Sequence, residues 1–243
     1  MSDTFDHLVV LGRPACGKSE FIDFMTHTPA DVRAARYHIG PFEVVDDFVF
    51  LWTKFEEDDI WERLGQRRRF SVLADVGYMI ADDIIWAFLI EKINLEVAKR
   101  FLSRGPAYYR DHTVLIEFSR GGEAAYRAAL ARLSRPVLAR AAILYIDVSF
   151  EESLRRNQAR YDERQPDSIL AHSVPLETMR KVYRTDDWHD LIGGQLAGYL
   201  TVRDLAVPYV TMPNEPESTD PLVLDARYGE ALRALKRLYD RSD

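Results

Sequence analysis

Cysteine is almost missing from this 243-residue sequence: Cys16 stands alone, so no intramolecular disulfide can form. A fold of this length must then rest on its hydrophobic core, and a reducing cytoplasm is the expected setting. Long apolar runs are missing too. Nothing approaches the ~18 uninterrupted apolar residues of a membrane-crossing helix. The first residues, Met1-Ser2-Asp3-Thr4-Phe5-Asp6-His7, are acidic rather than basic, unlike a signal or transit peptide. There is no excess of positive charge: the formal net charge is −7. The global field therefore does not favour nonspecific nucleic-acid binding, and an anionic ligand must be held by local cations. No low-complexity tract and no internal repeat breaks the chain.

What is present is an ordinary globular composition, 47% hydrophobic and 29% charged, enough for one sizeable core. We expect a single domain over 1–243. Its organising stretch is Leu8-Val9-Val10-Leu11-Gly12-Arg13-Pro14-Ala15-Cys16-Gly17-Lys18-Ser19. A short apolar run ends at a glycine, Gly-Lys-Ser follows four residues later, and a helical pattern begins at once. This matches the Walker A pattern G-x-x-x-x-G-K-[ST]. Gly12 and Gly17 let the backbone turn where a Cβ would clash. The amides of Arg13, Pro14, Ala15, Cys16 and their neighbours would form an anion nest, less the N–H that proline lacks. The following helix adds its free N–H groups and positive dipole end. Lys18 would meet the β- and γ-phosphates and Ser19 the Mg²⁺. Cys16 reads as a small filler, with oxidation sensitivity as the other reading.

The motif resembles the P-loop nucleoside-triphosphatase superfamily, and the order of the remaining elements resembles its small nucleoside, nucleotide and metabolite kinases of the adenylate-kinase-like type. That resemblance implies an α/β, three-layer fold, with helices on both faces of a mainly parallel sheet and a helical lid. The pattern supplies five strands, near 6–11, 42–48, 113–121, 141–148 and 207–212. The second ends in Asp46-Asp47, placed where open parallel sheets bind ligands. Asp47 or Asp46 would accept a proton from an acceptor hydroxyl or hold Mg²⁺ through water; the other reading is a solvated turn. Glu117, near the end of Thr113-Val114-Leu115-Ile116-Glu117-Phe118, stands where a Walker B acid belongs, although Asp is usual there. Its alternative is a buried acid paired with Arg120.

Residues 51–112 form a long excursion. A helix is expected over Phe55 to Gly65, and another, capped by Asp82 or Asp83, through Phe101. The resemblance implies that 51–112 holds the acceptor-binding helices. Arg67-Arg68-Arg69 would grip an anionic acceptor or form a solvated face. Later, Arg156, Arg160 and Arg164 share one helix face at i, i+4, i+8 spacing. With the turn-rich segment after them and a helix from Leu176, 151–186 resembles a kinase lid. Its arginines would close on the triphosphate or pair with nearby glutamates. Leu191-Ile192-Gly193-Gly194-Gln195 echoes an ABC-transporter signature, but the apolar strand ending in Asp-Glu is not there, and the match is read as chance. In adenylate-kinase-like folds the loop around Asn214 lies against the adenine, which implies that role for Asn214.

With no N-K-x-D signature, a GTPase is disfavoured. The expected function is a kinase that moves the γ-phosphate of ATP, with Mg²⁺, to a small molecule or nucleotide. Lys18, Asp47, Arg156, Arg160 and Arg164 would be catalytic, the loop Gly12–Ser19 with Asn214 would bind nucleotide, and Ser19 with Glu117 would hold the metal. A monomer or homodimer is expected. The alternative is a nucleotide-dependent regulatory ATPase, or an ATP-binding protein without an acceptor.

Overall fold

The computed structural model of the chain describes residues 3–74, 77–163 and 174–241. Strand β1 (His7–Leu11) is buried at every position. It lies between β5 (Thr113–Phe118) and β6 (Ala141–Asp147), parallel to both. Strand β2 (Phe42–Asp46) adds to β5 and β8 (Leu205–Pro213) adds to β6, again in parallel. These are the five strands expected from the sequence. A sixth, β7 (Ala197–Val202), pairs antiparallel with β8 and closes the order β2-β5-β1-β6-β8-β7. The fold is α/β as expected, with six strands in place of five. The edge strand escapes the sequence because its turn is Arg203-Asp204, with Arg203 at φ +57, and carries no Asn-Gly or Asp-Gly signal.

The two-residue period of the strands divides the core. Val9, Leu11, Ile116 and Ile143 face a cluster completed by α4 (Ile84–Arg100), α5 (Ala125–Arg132), α6 (Arg135–Leu138) and α9 (Trp188–Leu191). Leu8, Val10, Leu115 and Leu144 face the opposite cluster, built with α1 (Lys18–His27), α2 (Ala30–Tyr37) and α10 (Pro221–Tyr239). Three layers result, with the sheet interior dry on both sides. Among the described residues no helix is long and apolar enough to cross a membrane.

Helix α3 (Asp47–Arg63) starts earlier than the pattern predicts. The Asp46 carboxylate accepts the Phe48 N–H at 2.8 Å, so strand β2 passes into the helix through an N-cap. Asp46-Asp47 is therefore not a solvated turn: Asp47 is buried and Asp46 half-buried. For α4 the capping side chain is Asp82, which accepts the Ile84 N–H at 2.9 Å, while Asp83 makes no such bond. Between α3 and α4 sits a hairpin of β3 (Ser71–Leu73) and β4 (Tyr78–Ile80), and Leu51, Phe55, Ile85 and Leu89 form a small core of their own there. The hairpin was not legible in the sequence. Asp58 fixes it by accepting the N–H groups of Arg69, Phe70 and Ser71. The segment expected as a lid contributes α7 (Phe150–Glu163) and α8 (Leu176–Val182); residues 164–173 between them lie outside the described residues.

His7 opens β1 fully buried. Its Nδ1–H donates to the Val137 carbonyl at 3.0 Å and its Nε2 accepts the Tyr109 hydroxyl at 3.0 Å, an assignment that holds only for the neutral ring. Burial pushes this imidazole down from 6.5 to about 4. The unfolded chain therefore takes up a proton first as the solution is acidified. Stability supplied by neutral His7 is complete above pH 6.5 and is lost as pH falls toward 4, approaching about 3 kcal/mol. Urea unfolding from pH 7.5 to 4.5 should show this decline, and His7→Gln should show a shallower one.

Candidate functional site

The loop after β1 is shaped by what surrounds it. A Cβ on Gly12, at φ +146, would lie 2.4 Å from the Ile146 carbonyl oxygen. A Cβ on Gly17, at φ +109, would lie 2.4 Å from Nδ2 of Asn214. Between them Ala15 takes a left-handed φ of +56, which turns successive amides the same way. Side chains from three later segments tie the loop down. Asn214 Nδ2 donates to the Cys16 carbonyl at 2.8 Å, Ser153 Oγ donates to the Pro14 carbonyl at 2.7 Å, and Arg13 reaches Asp186 at 2.7 Å. Cys16 is fully buried in the core beneath, and burial pushes its thiol up, so it is a filler.

Helix α1 begins at Lys18, which is buried, and Ser19, which is exposed. The Lys18 ammonium donates to the carbonyls of Gly12 at 3.2 Å and Arg13 at 3.0 Å, and to Ser119 Oγ at 2.7 Å. Glu117 Oε1 stands 3.9 Å away. Parallel register sets Asp46 beside Glu117 across β2 and β5. Burial first, then the charges of Glu117 and Asp47, push the Asp46 carboxyl up to about 8. Asp47 is also pushed up by burial, and the Arg120 guanidinium opposes that rise. Arg120 Nη1 bonds Asp47 and its own neighbour's carbonyl at Ser119, and its carbon sits 5.1 Å over the Trp86 ring. The acid paired with Arg120 is thus Asp47, not Glu117 as the alternative reading had it.

A cavity of about 130 Å³ gathers Pro14, Ala15, Lys18, Ser19, Asp47 and Glu117, six of the positions expected from the sequence, together with Asp46. Gly12, Cys16 and Gly17 form the interior of the loop, and Asn214 supports it from behind. The Arg13 side chain turns away to Asp186 and the carbonyls of Val148 and Tyr183. Arg156 is buried, bonds Glu152 at 2.7 Å and donates to the Asn214 carbonyl at 2.7 Å, so it holds the loop after β8 and is not among the cavity's lining. The side chain of Arg160, and Arg164 altogether, lie outside the described residues. Arg67 and Arg69 line a separate open cavity, and Arg68 pairs with Asp59 and Glu62.

Sequence reasoning missed Ser119, Trp86, Tyr183 and Asn157, which also line the site. Only Ser119 carried a signal, being two residues past Glu117 at a strand end. Among the described residues no group of three or more His, Cys, Asp or Glu side chains could hold a metal on its own. The Ser19 hydroxyl and the Glu117 carboxylate both line the cavity, and Mg²⁺ is an ion that keeps most of its water and binds through few protein oxygens.

No protein-family model matches the sequence, and no curated protein matches it. Among solved structures the chain is similar to a gluconokinase from Sinorhizobium meliloti 1021, at 15% identity over 99% of each chain with a TM-score of 0.48. It is also similar to Kti12 from Chaetomium thermophilum in complex with ADP-AlF3, at 12% identity over 93% of this chain and 98% of that one, TM-score 0.44. A shikimate kinase from Acinetobacter baumannii in complex with shikimate is a third, at 16% identity over 73% and 74%, TM-score 0.34. At these scores the likenesses carry no weight for activity. The sheet, the glycine loop and α1 make the architecture an α/β P-loop fold.

The Asp47–Arg120 pair is almost wholly out of water. Removing one partner strands a buried charge, which costs about 3–5 kcal/mol. Arg120→Leu should lose that much in urea unfolding, and adding Asp47→Leu should recover a large part of it.

Proposed function

We propose that this chain is an ATP-dependent phosphotransferase that moves the γ-phosphoryl group of ATP to a small molecule or nucleotide. The observation that carries the reading is the convergence of Lys18, Ser19 and the Asp46, Asp47 and Glu117 carboxyls on one cavity that is also walled by Phe48, Trp86 and Tyr183. A phosphate cradle alone would serve any nucleotide-binding protein. Here the cradle shares its cavity with carboxyls and aromatic rings that a partner in the reaction could meet.

The loop amides and the Lys18 ammonium bind the β- and γ-phosphates, and the dipole of α1 adds to their pull. Lys18 must leave the carbonyls of Gly12 and Arg13 to do this, so phosphate replaces the oxygens that now hold it. Mg²⁺, held through Ser19 and Glu117, would neutralise phosphate charge. Asp46 and Asp47 stand at the carboxyl end of β2, where an acceptor hydroxyl would be oriented and its proton received. Asp47 is held in place by Arg120. In this reading Asn214, packed on the loop from the β8 side, fixes the nucleotide end, and Arg156 acts through Asn214 by holding its carbonyl. Arg160 and Arg164 remain lid candidates for phosphate. Most of the rate then comes from positioning and electrostatics rather than covalent chemistry.

Lys18→Ala should retain its circular dichroism spectrum, lose the melting-temperature rise given by MgATP, and reduce turnover by at least about a hundredfold. Unchanged ATP turnover in that variant would overturn the assignment. In the native protein, ADP release that rises with an added acceptor marks a kinase, and hydrolysis indifferent to every acceptor marks a nucleotide-driven regulator.

A further inference from the structure

We infer that the acceptor side of this cavity is made for a hydroxyl compound that carries no anionic group, its body uncharged or ammonium-bearing and apolar enough to lie against aromatic rings. The inference rests on the phosphotransferase reading and narrows it to a substrate class.

The first support is where the positive charge is spent. Among the described residues lining the cavity, Lys18 is the single cation, and it belongs to the phosphate cradle. Arg120 is buried behind the wall, with Asp47 on one side and the rings of Trp86 and Phe118 on the other, each 5.1 Å from its guanidinium carbon. Arg13 is committed to Asp186, and Arg156 to Glu152. The arginine run that the sequence offered as an anion grip, 67–69, lies on another surface: Arg67 and Arg69 border a different cavity, beside Trp61 and Phe70.

The second support is what faces the acceptor instead. Asp46, Asp47 and Glu117 line the cavity. A phosphate or carboxylate on the acceptor would sit beside these acids with no described cation of its own to answer it, and burial makes such an encounter costlier than in water. The apolar part of the lining is Phe48, Leu51, Trp86, Leu89 and Tyr183, with Trp86 and Tyr183 meeting edge to face at 6.3 Å. Such a lining takes an apolar or planar body. Where that body carries an ammonium group, ring faces and carboxylates attract it together. The hydroxyl then faces the Asp46 and Asp47 carboxyls, which share the cavity with Lys18.

Acceptor pairs in which one member carries an anion and the other does not test this. The full chain with MgATP would be given thymidine or thymidine monophosphate, and tyramine or 4-hydroxyphenylacetate, and ADP release recorded. Melting shifts with the same compounds beside a non-hydrolysable ATP analogue give a binding readout independent of turnover. The members without an anion should act at concentrations at least about tenfold lower than their anionic partners. Phe48→Lys, which adds a cation to the apolar wall, should move the preference toward the anionic members while keeping the melting shift with MgATP. Equal or better response to the anionic members of the native chain overturns the inference. So does silence from both classes in both readouts. The donor reading is judged apart from this, by the MgATP melting shift of the native chain and its loss in Lys18→Ala.

Discussion

The close approach of the glycine loop to the ends of β6 and β8 is the constraint on which the rest depends. Side-chain atoms at positions 12 and 17 would lie 2.4 Å from Ile146 and Asn214. Glycine is the residue that fits, and the fit draws three parallel strands to one point. The loop cannot lift without breaking the bond from Asn214 Nδ2 to the Cys16 carbonyl and uncovering the fully buried Cys16. The amides are thereby aimed before any ligand arrives, which is what electrostatic preorganisation requires.

Around that point the protein manages most of its charge by pairing it. Arg13 with Asp186, Arg120 with Asp47 and Arg156 with Glu152 each join segments far apart in sequence or brace a helix end. Their desolvation is offset by good geometry and by additional bonds to backbone carbonyls. Asp46 is treated differently. It caps α3 and stands beside Glu117, and burial together with the neighbouring acids pushes its carboxyl up.

The parts of this structure that were legible in the sequence are those governed by local pattern. Two-sided apolar strands announced β1, β5 and β6, and the glycine spacing announced the loop, because backbone geometry there admits few residue types. What was hidden depends on partners distant in the chain. Edge strand β7 is half exposed and turns on Arg203, so neither its pattern nor its turn is distinctive. The partner of Arg120 was misread because Glu117 is three residues away and Asp47 is seventy-three. The basic face of α7 read as a phosphate grip, yet Arg156 faces Asn214 and Glu152; helical spacing says which residues share a face and not what that face meets. Trp86 and Tyr183 lie on elements whose composition alone suggests core packing.

The helix that supports Asn214 has a consequence for the order of assembly. Arg227 on α10 bonds the Asn214 amide oxygen, Tyr228 packs edge to face on Phe21 of α1, and the Tyr239 hydroxyl accepts the Asp6 N–H at 3.3 Å. The residues that carry the glycine motif are synthesised well before the groups that hold them in shape, 198 residues before in the case of Cys16 and Asn214. Contacts spanning 198 and 233 residues must close before the cradle exists. A chain that stops short of those groups therefore carries the motif as sequence but not as a shaped cradle, and loop closure over that span places formation of the cradle late in folding.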